Sequence, residues 1–219
     1  MGFVPLMAVV FFLAYFLRPD FYAWLETKEG PVEYATVVVL IPGIVAGWFA
    51  FKHRRSIAGR WIGPWMILGA LALFYFAGEE LSWGQHILKW DSPDLFKQVN
   101  RQEETNLHNM SSLLGRKPKH LIEIWAIVCC IVVPLIRDRQ GRLVEPKSDW
   151  GYWFWPTKAC LLSAVLATVV YLPDRIGKLT GTRDNLPLQF TSELQEYYLA
   201  LTLSLFMLSI WYRLRQMPT

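Results

Sequence analysis

Two short stretches hold most of the side chains with which this chain could do chemistry. They are Phe76-Ala77-Gly78-Glu79-Glu80-Leu81-Ser82-Trp83-Gly84-Gln85-His86 and Asn100-Arg101-Gln102-Glu103-Glu104-Thr105-Asn106-Leu107-His108-Asn109. If a helix continues through the first, Glu79, Ser82 and His86 fall at i, i+3 and i+7 and share a face. In the second, Glu104 and His108 stand at i and i+4. Carboxylates and imidazoles together take a proton from water, or hold a cation that makes water a nucleophile near neutral pH. On this reading Glu79, Glu80, Glu104 and His108 are the catalytic candidates, and Glu80, Glu104 and His108 the candidate metal ligands. Ser82, His86, Gln102, Asn109, Glu193 and Glu196 would orient substrate or support the ligands.

A plainer reading competes. The same acids can serve as helix caps and ion-pair partners for Lys89, Arg101, Arg116, Lys117 and Lys119, fastening a long loop to the rest of the chain. Glu193 and Glu196, at i and i+3 of a helix start, favour the helix dipole in any case. His53 and His120 lie among cations as solvated flanks, and Trp83, Trp90, Trp153 and Trp155 suit an interfacial aromatic belt.

The elements that must position these groups follow from composition. Of 219 residues, 53% are hydrophobic, 15% aromatic and 18% charged, with 11 Trp. Soluble domains average about 25% charged, so a polytopic membrane protein is predicted, and disorder and a disulfide scaffold are excluded. Cys129 and Cys130 are adjacent and Cys160 is alone, a spacing for small buried hydrophobes and not for a metal or disulfide framework. The net charge of +4 is not gathered into a basic stripe with exposed aromatics, so nucleic acid is not an expected partner.

Apolar runs at 3–17, 34–51, 61–77, 121–136, 152–172 and 197–212 predict an all-α bundle of about six spans in a single membrane domain covering 1–219. A span needs about 20 residues, so the first, fourth and sixth runs reach only if their flanks join them. The first run lacks a basic leading region and is followed by Arg18-Pro19-Asp20, which reads as a helix and not as a signal peptide. Short segments 52–60, 137–150 and the tail hold ten Lys or Arg against three acids. The positive-inside rule then puts both termini in the cytoplasm and the carboxylate-rich segments outside.

The long connection 82–120 is expected to lie on the outer face as an interfacial or re-entrant helix. Ser92-Pro93-Asp94 suits an N-cap, a first-turn proline and a dipole-favourable acid, and Gly115 a stop.

Gly78-Glu79-Glu80-Leu81-Ser82-Trp83-Gly84-Gln85, followed by Asn100, Gln102, Glu104, Leu107, His108 and Asn109, resembles the pattern of an uncharacterised family of multi-pass bacterial membrane proteins. That resemblance implies an inner-membrane location and no particular activity. Glu79-Glu80 also looks like the first motif of the CAAX-protease and bacteriocin-processing intramembrane glutamate proteases. There, paired glutamates precede an Arg, a Phe-x-x-x-His and a second His; here Gly84 stands at the Arg position and Glu104 at the Phe position. Ser82-x-x-x-His86 is similar to the first zinc-site motif of the alkaline ceramidase superfamily, whose closing His-x-x-x-His has no counterpart in this chain. Both resemblances imply a water-activating membrane hydrolase.

The expectation is therefore a membrane hydrolase or lipid-modifying enzyme acting on a lipid or lipid-linked substrate, with a divalent metal as candidate cofactor. No nucleotide-binding loop and no haem-type histidine pair is present. The alternative is a non-enzymatic subunit that uses segment 82–120 to dock on partner membrane subunits.

Overall fold

The computed structural model describes residues 4–27, 30–57, 59–100, 104–107, 110, 116–140, 149–182 and 192–217. The described residues are helical, without a strand among them: α1 (Leu6–Leu17), α2 (Pro19–Leu25), α3 (Pro31–Lys52), α4 (Ile62–Glu80), α5 (Gln85–Leu88), α6 (Asp94–Val99), α7 (Arg116–Trp125), α8 (Val133–Arg139), α9 (Trp150–Phe154), α10 (Leu161–Val169), α11 (Leu172–Thr180) and α12 (Ser192–Arg215). The predicted all-α membrane bundle is thus the observed fold.

Five stretches are long and apolar enough to cross a membrane: Pro31–Lys52, Ile62–Glu80, Lys117–Arg139, Trp150–Thr180 and Ser192–Arg215. Flanking residues do extend the fourth and sixth apolar runs to 23 and 24 residues. The first run does not reach that length. Its 12-residue helix α1 rises about 18 Å, against a hydrocarbon core of about 30 Å. At Arg18 the backbone leaves the helical region, with φ −146° and ψ 74°. Phe11 and Tyr22 then meet edge to face at 5.9 Å, so α2 folds back along α1.

Prolines shape two of the longer stretches. Between α7 and α8 the chain winds as a π-helix, Ala126–Val132, where Pro134 has no N–H to offer the preceding turn. Pro156 follows α9, and a 3₁₀ turn at Lys158–Cys160 restarts the helix as α10.

The centre of the bundle is α12, with 61% of its apolar window buried against 22–39% for the other four. It packs on α3, α4 and α10. Glycines allow the close approach: a Cβ on Gly43 would sit 2.7 Å from the Ser204 Cα, and one on Gly69 would sit 1.8 Å from the Met207 methyl. Helices in lipid associate through such small-residue contacts because no hydrophobic force separates them from the acyl chains. Trp153, expected in the interfacial belt, is instead fully buried at 0% exposure, and the Arg213 guanidinium lies over its ring at 5.9 Å. Cys130 and Cys160 are buried and unbonded, as their apolar surroundings predict.

Candidate functional site

The spacing of α4 places Glu80 before any partner is considered. Met66, Ala70, Leu73, Ala77 and Glu80 are all buried on that helix, at alternating intervals of four and three that make one stripe. Glu80 therefore continues an apolar seam, and it is only 7% exposed.

Helix α12 runs antiparallel to α4 and meets it at Gly69 and Met207. Eleven residues beyond Gly69 is Glu80, and eleven before Met207 is Glu196. At 1.5 Å per residue both lie about 16 Å from the contact and at the same level. Glu193, one turn earlier on α12, completes the group. One carboxylate oxygen from each of Glu80, Glu193 and Glu196 falls within 4.8 Å of the other two.

Other elements add charge to this end of the bundle. Glu33, in the first turn of α3, acts electrostatically on both Glu80 and Glu193. Lys119 of α7 donates to Glu196 Oε1 at 2.5 Å and to Ser192 Oγ at 3.1 Å. Glu26 follows α2, where burial pushes its carboxyl up to about 8, and its Oε1 is buried with no partner. One lysine thus faces a group of carboxylates whose ionised forms repel one another.

Next to the trio lies a satisfied ion pair. Glu123 of α7 accepts from Arg175 of α11 and from Gln195 Nε2 at 3.0 Å, and His120 Nδ1 stands 3.5 Å from its other oxygen. These contacts tie α7, α11 and α12 together and leave Glu123 a structural role.

Glu79, one residue before Glu80, points elsewhere. The expected continuation of α4 fails because Ser82, Trp83 and Gly84 take positive φ values of 46°, 56° and 101°. Glu79, Ser82 and His86 consequently do not share a helical face. The reversal swings Trp83 back over Gly78, where a Cβ would meet its ring at 2.9 Å. The Trp83 indole then donates to Glu79 Oε1 at 2.7 Å, and Glu79 Oε2 accepts from the Leu107 backbone N–H at 2.8 Å. Left-handed backbone at two non-glycine residues costs about 1 kcal/mol or more each. The hydrogen bonds it makes possible offset that cost.

Ser82 leads a second network. Its hydroxyl donates to Glu104 Oε2 at 3.2 Å and accepts from Asn106 Nδ2 at 2.9 Å, and the same amide reaches Glu104 Oε2 at 2.6 Å. Asn100 Nδ2 donates to the Glu104 and Asn106 carbonyls, both at 2.8 Å. Gln85 accepts from the Thr105 N–H at 2.7 Å and donates to Ser92 Oγ at 3.0 Å. Ser92 is therefore no N-cap; Pro93 occupies that position before the short helix α6.

The expected site is thus divided. Glu80 joins Glu193 and Glu196, which the sequence reading had placed in supporting roles. Glu104, expected as a ligand beside Glu80, is instead held by Ser82 and Asn106, and residues 104–107 are not helical. His108, Gln102 and Asn109 lie outside the described residues, as does the His86 side chain. Glu33 and Glu26 went unnoticed in the sequence because each is a lone acid at a helix boundary; only the register of α3 against α12 shows that Glu33 belongs to the group.

No protein-family model, curated protein or solved structure matches the chain.

Proposed function

We propose that the protein is a membrane-embedded hydrolase or lipid-modifying enzyme whose reactive centre is a divalent cation held by Glu80, Glu193 and Glu196. The observation that supports this reading is the convergence of three carboxylate oxygens within 4.8 Å, one from α4 and two from α12. Oxygen ligands at 2.0–2.6 Å from a hard cation lie within about 5 Å of each other, so the spacing suits such an ion. Lys119 neutralises one carboxylate, and the ion would balance the other two. A cation in that position would acidify a bound water at the lipid interface, with Glu33 beside it as a proton acceptor. Glu193 and Glu196 are half-buried, which leaves the centre a way out to the surface.

The residues of the Glu79 and Ser82 networks then act as positioning groups. They would fix residues 82–100 and 104–107 over the end of α4 without touching the reacting water. Positive-inside asymmetry favours the outer face of the membrane for this end of the bundle and the cytoplasm for the C-terminus; with five crossing stretches and α1 too short to be a sixth, the N-terminus would lie on the outer side and not in the cytoplasm, as six spans would have it. Substrates there are lipids, lipid-linked sugars or membrane peptides.

The test is turnover in reconstituted vesicles of bacterial lipid extract, followed by mass spectrometry of lipid products, for wild type, Glu80→Gln and wild type with chelator. Products that appear with wild type and vanish in the other two support the reading. Products at equal rate in all three overturn it.

A second reading rests on a different observation. Ser82, Ser92, Asn100 and Asn106 are buried in the cap, while Ile87, Leu88 and Leu95 are 60–71% exposed. Such a surface also suits a subunit of a larger membrane assembly. Stoichiometric co-purification of a second membrane protein in mild detergent, lost on Leu88→Glu, distinguishes this from the enzyme.

A further inference from the structure

The opposite end of the bundle has a pocket that the proposed reaction does not use. It is an open cavity of about 420 Å³ between the end of α3 and the start of α4, lined by Arg54, Arg55 and Arg60 together with Gly63 and Pro64. Among the described residues no carboxylate pairs with any of the three arginines. They line the same opening.

Local structure holds one of them in place. The Arg54 guanidinium lies over the Phe51 ring at 4.4 Å and donates to the Phe51 carbonyl at 3.2 Å. Its aliphatic stem crosses Gly63, where a Cβ would come within 2.9 Å of Arg54 Cδ. Glycine at 63 is therefore what lets the stem lie along the helix start. The 19-residue helix α4 begins here with no side-chain cap, so its N-terminal dipole adds to the positive field.

The surroundings are those of a lipid headgroup. Trp61 and Trp150 meet at a tilt, ring centroids 5.4 Å apart, beside the pocket and are each nearly half exposed, as aromatic residues at a membrane interface are. Below them α3 and α4 present Val45, Trp48 and Leu68 outward, an apolar face along which acyl chains can run.

We propose that Arg54, Arg55 and Arg60 form a binding site for the phosphate of an anionic phospholipid. Guanidinium groups match phosphate oxygens in geometry and are less strongly hydrated than ammonium groups. Basic pockets between membrane helices take acidic headgroups for this reason.

Native mass spectrometry of the detergent-purified full chain tests the site, with phosphatidylglycerol and phosphatidylcholine of identical acyl chains and with inorganic phosphate. Wild type is expected to bind phosphatidylglycerol at least roughly tenfold more tightly than phosphatidylcholine. Arg55→Gln with Arg60→Gln should remove that preference by roughly the same factor, and Arg54→Gln should weaken it separately. Arg139→Gln with Arg215→Gln removes as many exposed charges from the same end of the bundle and should leave it unchanged. Equal loss in that control, equal binding of the two lipids, or displacement of phosphatidylglycerol by inorganic phosphate at matching concentration would overturn the assignment.

Discussion

Gly69 of α4 and Met207 of α12 touch so closely that a Cβ on the glycine would stand 1.8 Å from the methionine methyl. In the register of these two antiparallel helices, Glu80, Glu193 and Glu196 meet eleven to fourteen residues away.

Gly69→Leu should crowd the Met207 side chain and cost about 1–3 kcal/mol, as overpacking of a tight contact does. Met207→Ala makes room for a milder change, so Gly69→Ala in that background should cost less than Gly69→Ala alone, by about 1 kcal/mol. Thermal unfolding in detergent of the two singles and the double measures the coupling; strict additivity would show that the two positions do not crowd each other.

Glu80→Gln removes one ionisable carboxyl from a crowded group. In chelator the variant should melt a few degrees above wild type, since about 1 kcal/mol shifts Tm by about 2–4 °C in a chain of this size. With divalent cation added, wild type should gain stability and the variant should not. A variant less stable than wild type in chelator would mean that Glu80 is a satisfied structural acid.

Glu79→Ala should behave in the opposite way. It leaves the Leu107 N–H and the Trp83 indole without their acceptor, at about 3 kcal/mol for two bonds to a buried carboxylate. The segment 85–107 should then become protease-sensitive while the cation content is kept. Unchanged proteolysis and Tm would remove Glu79 from its clamping role.

Glu26 gives a pH dependence with a definite sign. Its folded value near 8 lies above the ordinary 4.5, so between those limits the folded state binds the extra proton and stability falls as pH rises. Glu26→Gln should abolish that fall, matching wild type near pH 4.5 and exceeding it at pH 8. Parallel stability curves for the two proteins across this range would contradict the assignment.

The bundle was legible because long apolar runs leave few alternatives, and flanking residues carried two short runs to full spans. The first run, α1, was not legible as a short helix, because the break at Arg18 depends on α2 folding back through Phe11, Tyr15 and Tyr22. At the site, the stretch from Gly78 to Gln85 stood out in the sequence, but its local conformation did not. Helical spacing assumes a continuous helix, and the left-handed turn at Ser82 and Trp83 is stabilised by partners more than twenty residues away, Glu104 and Asn106. The union of Glu80 with Glu193 and Glu196 was hidden for another reason: it follows from how α12 packs on α3 and α4, which leaves no pattern in a single sequence.

The most direct measurement is the divalent-metal content of the purified protein by inductively coupled plasma mass spectrometry, for wild type and Glu80→Gln. The account predicts a near-stoichiometric metal in wild type that is lost in the variant. Equal metal content in both, or a wild type that stays metal-free after incubation with Mg²⁺, Mn²⁺, Ca²⁺ and Zn²⁺, would contradict it.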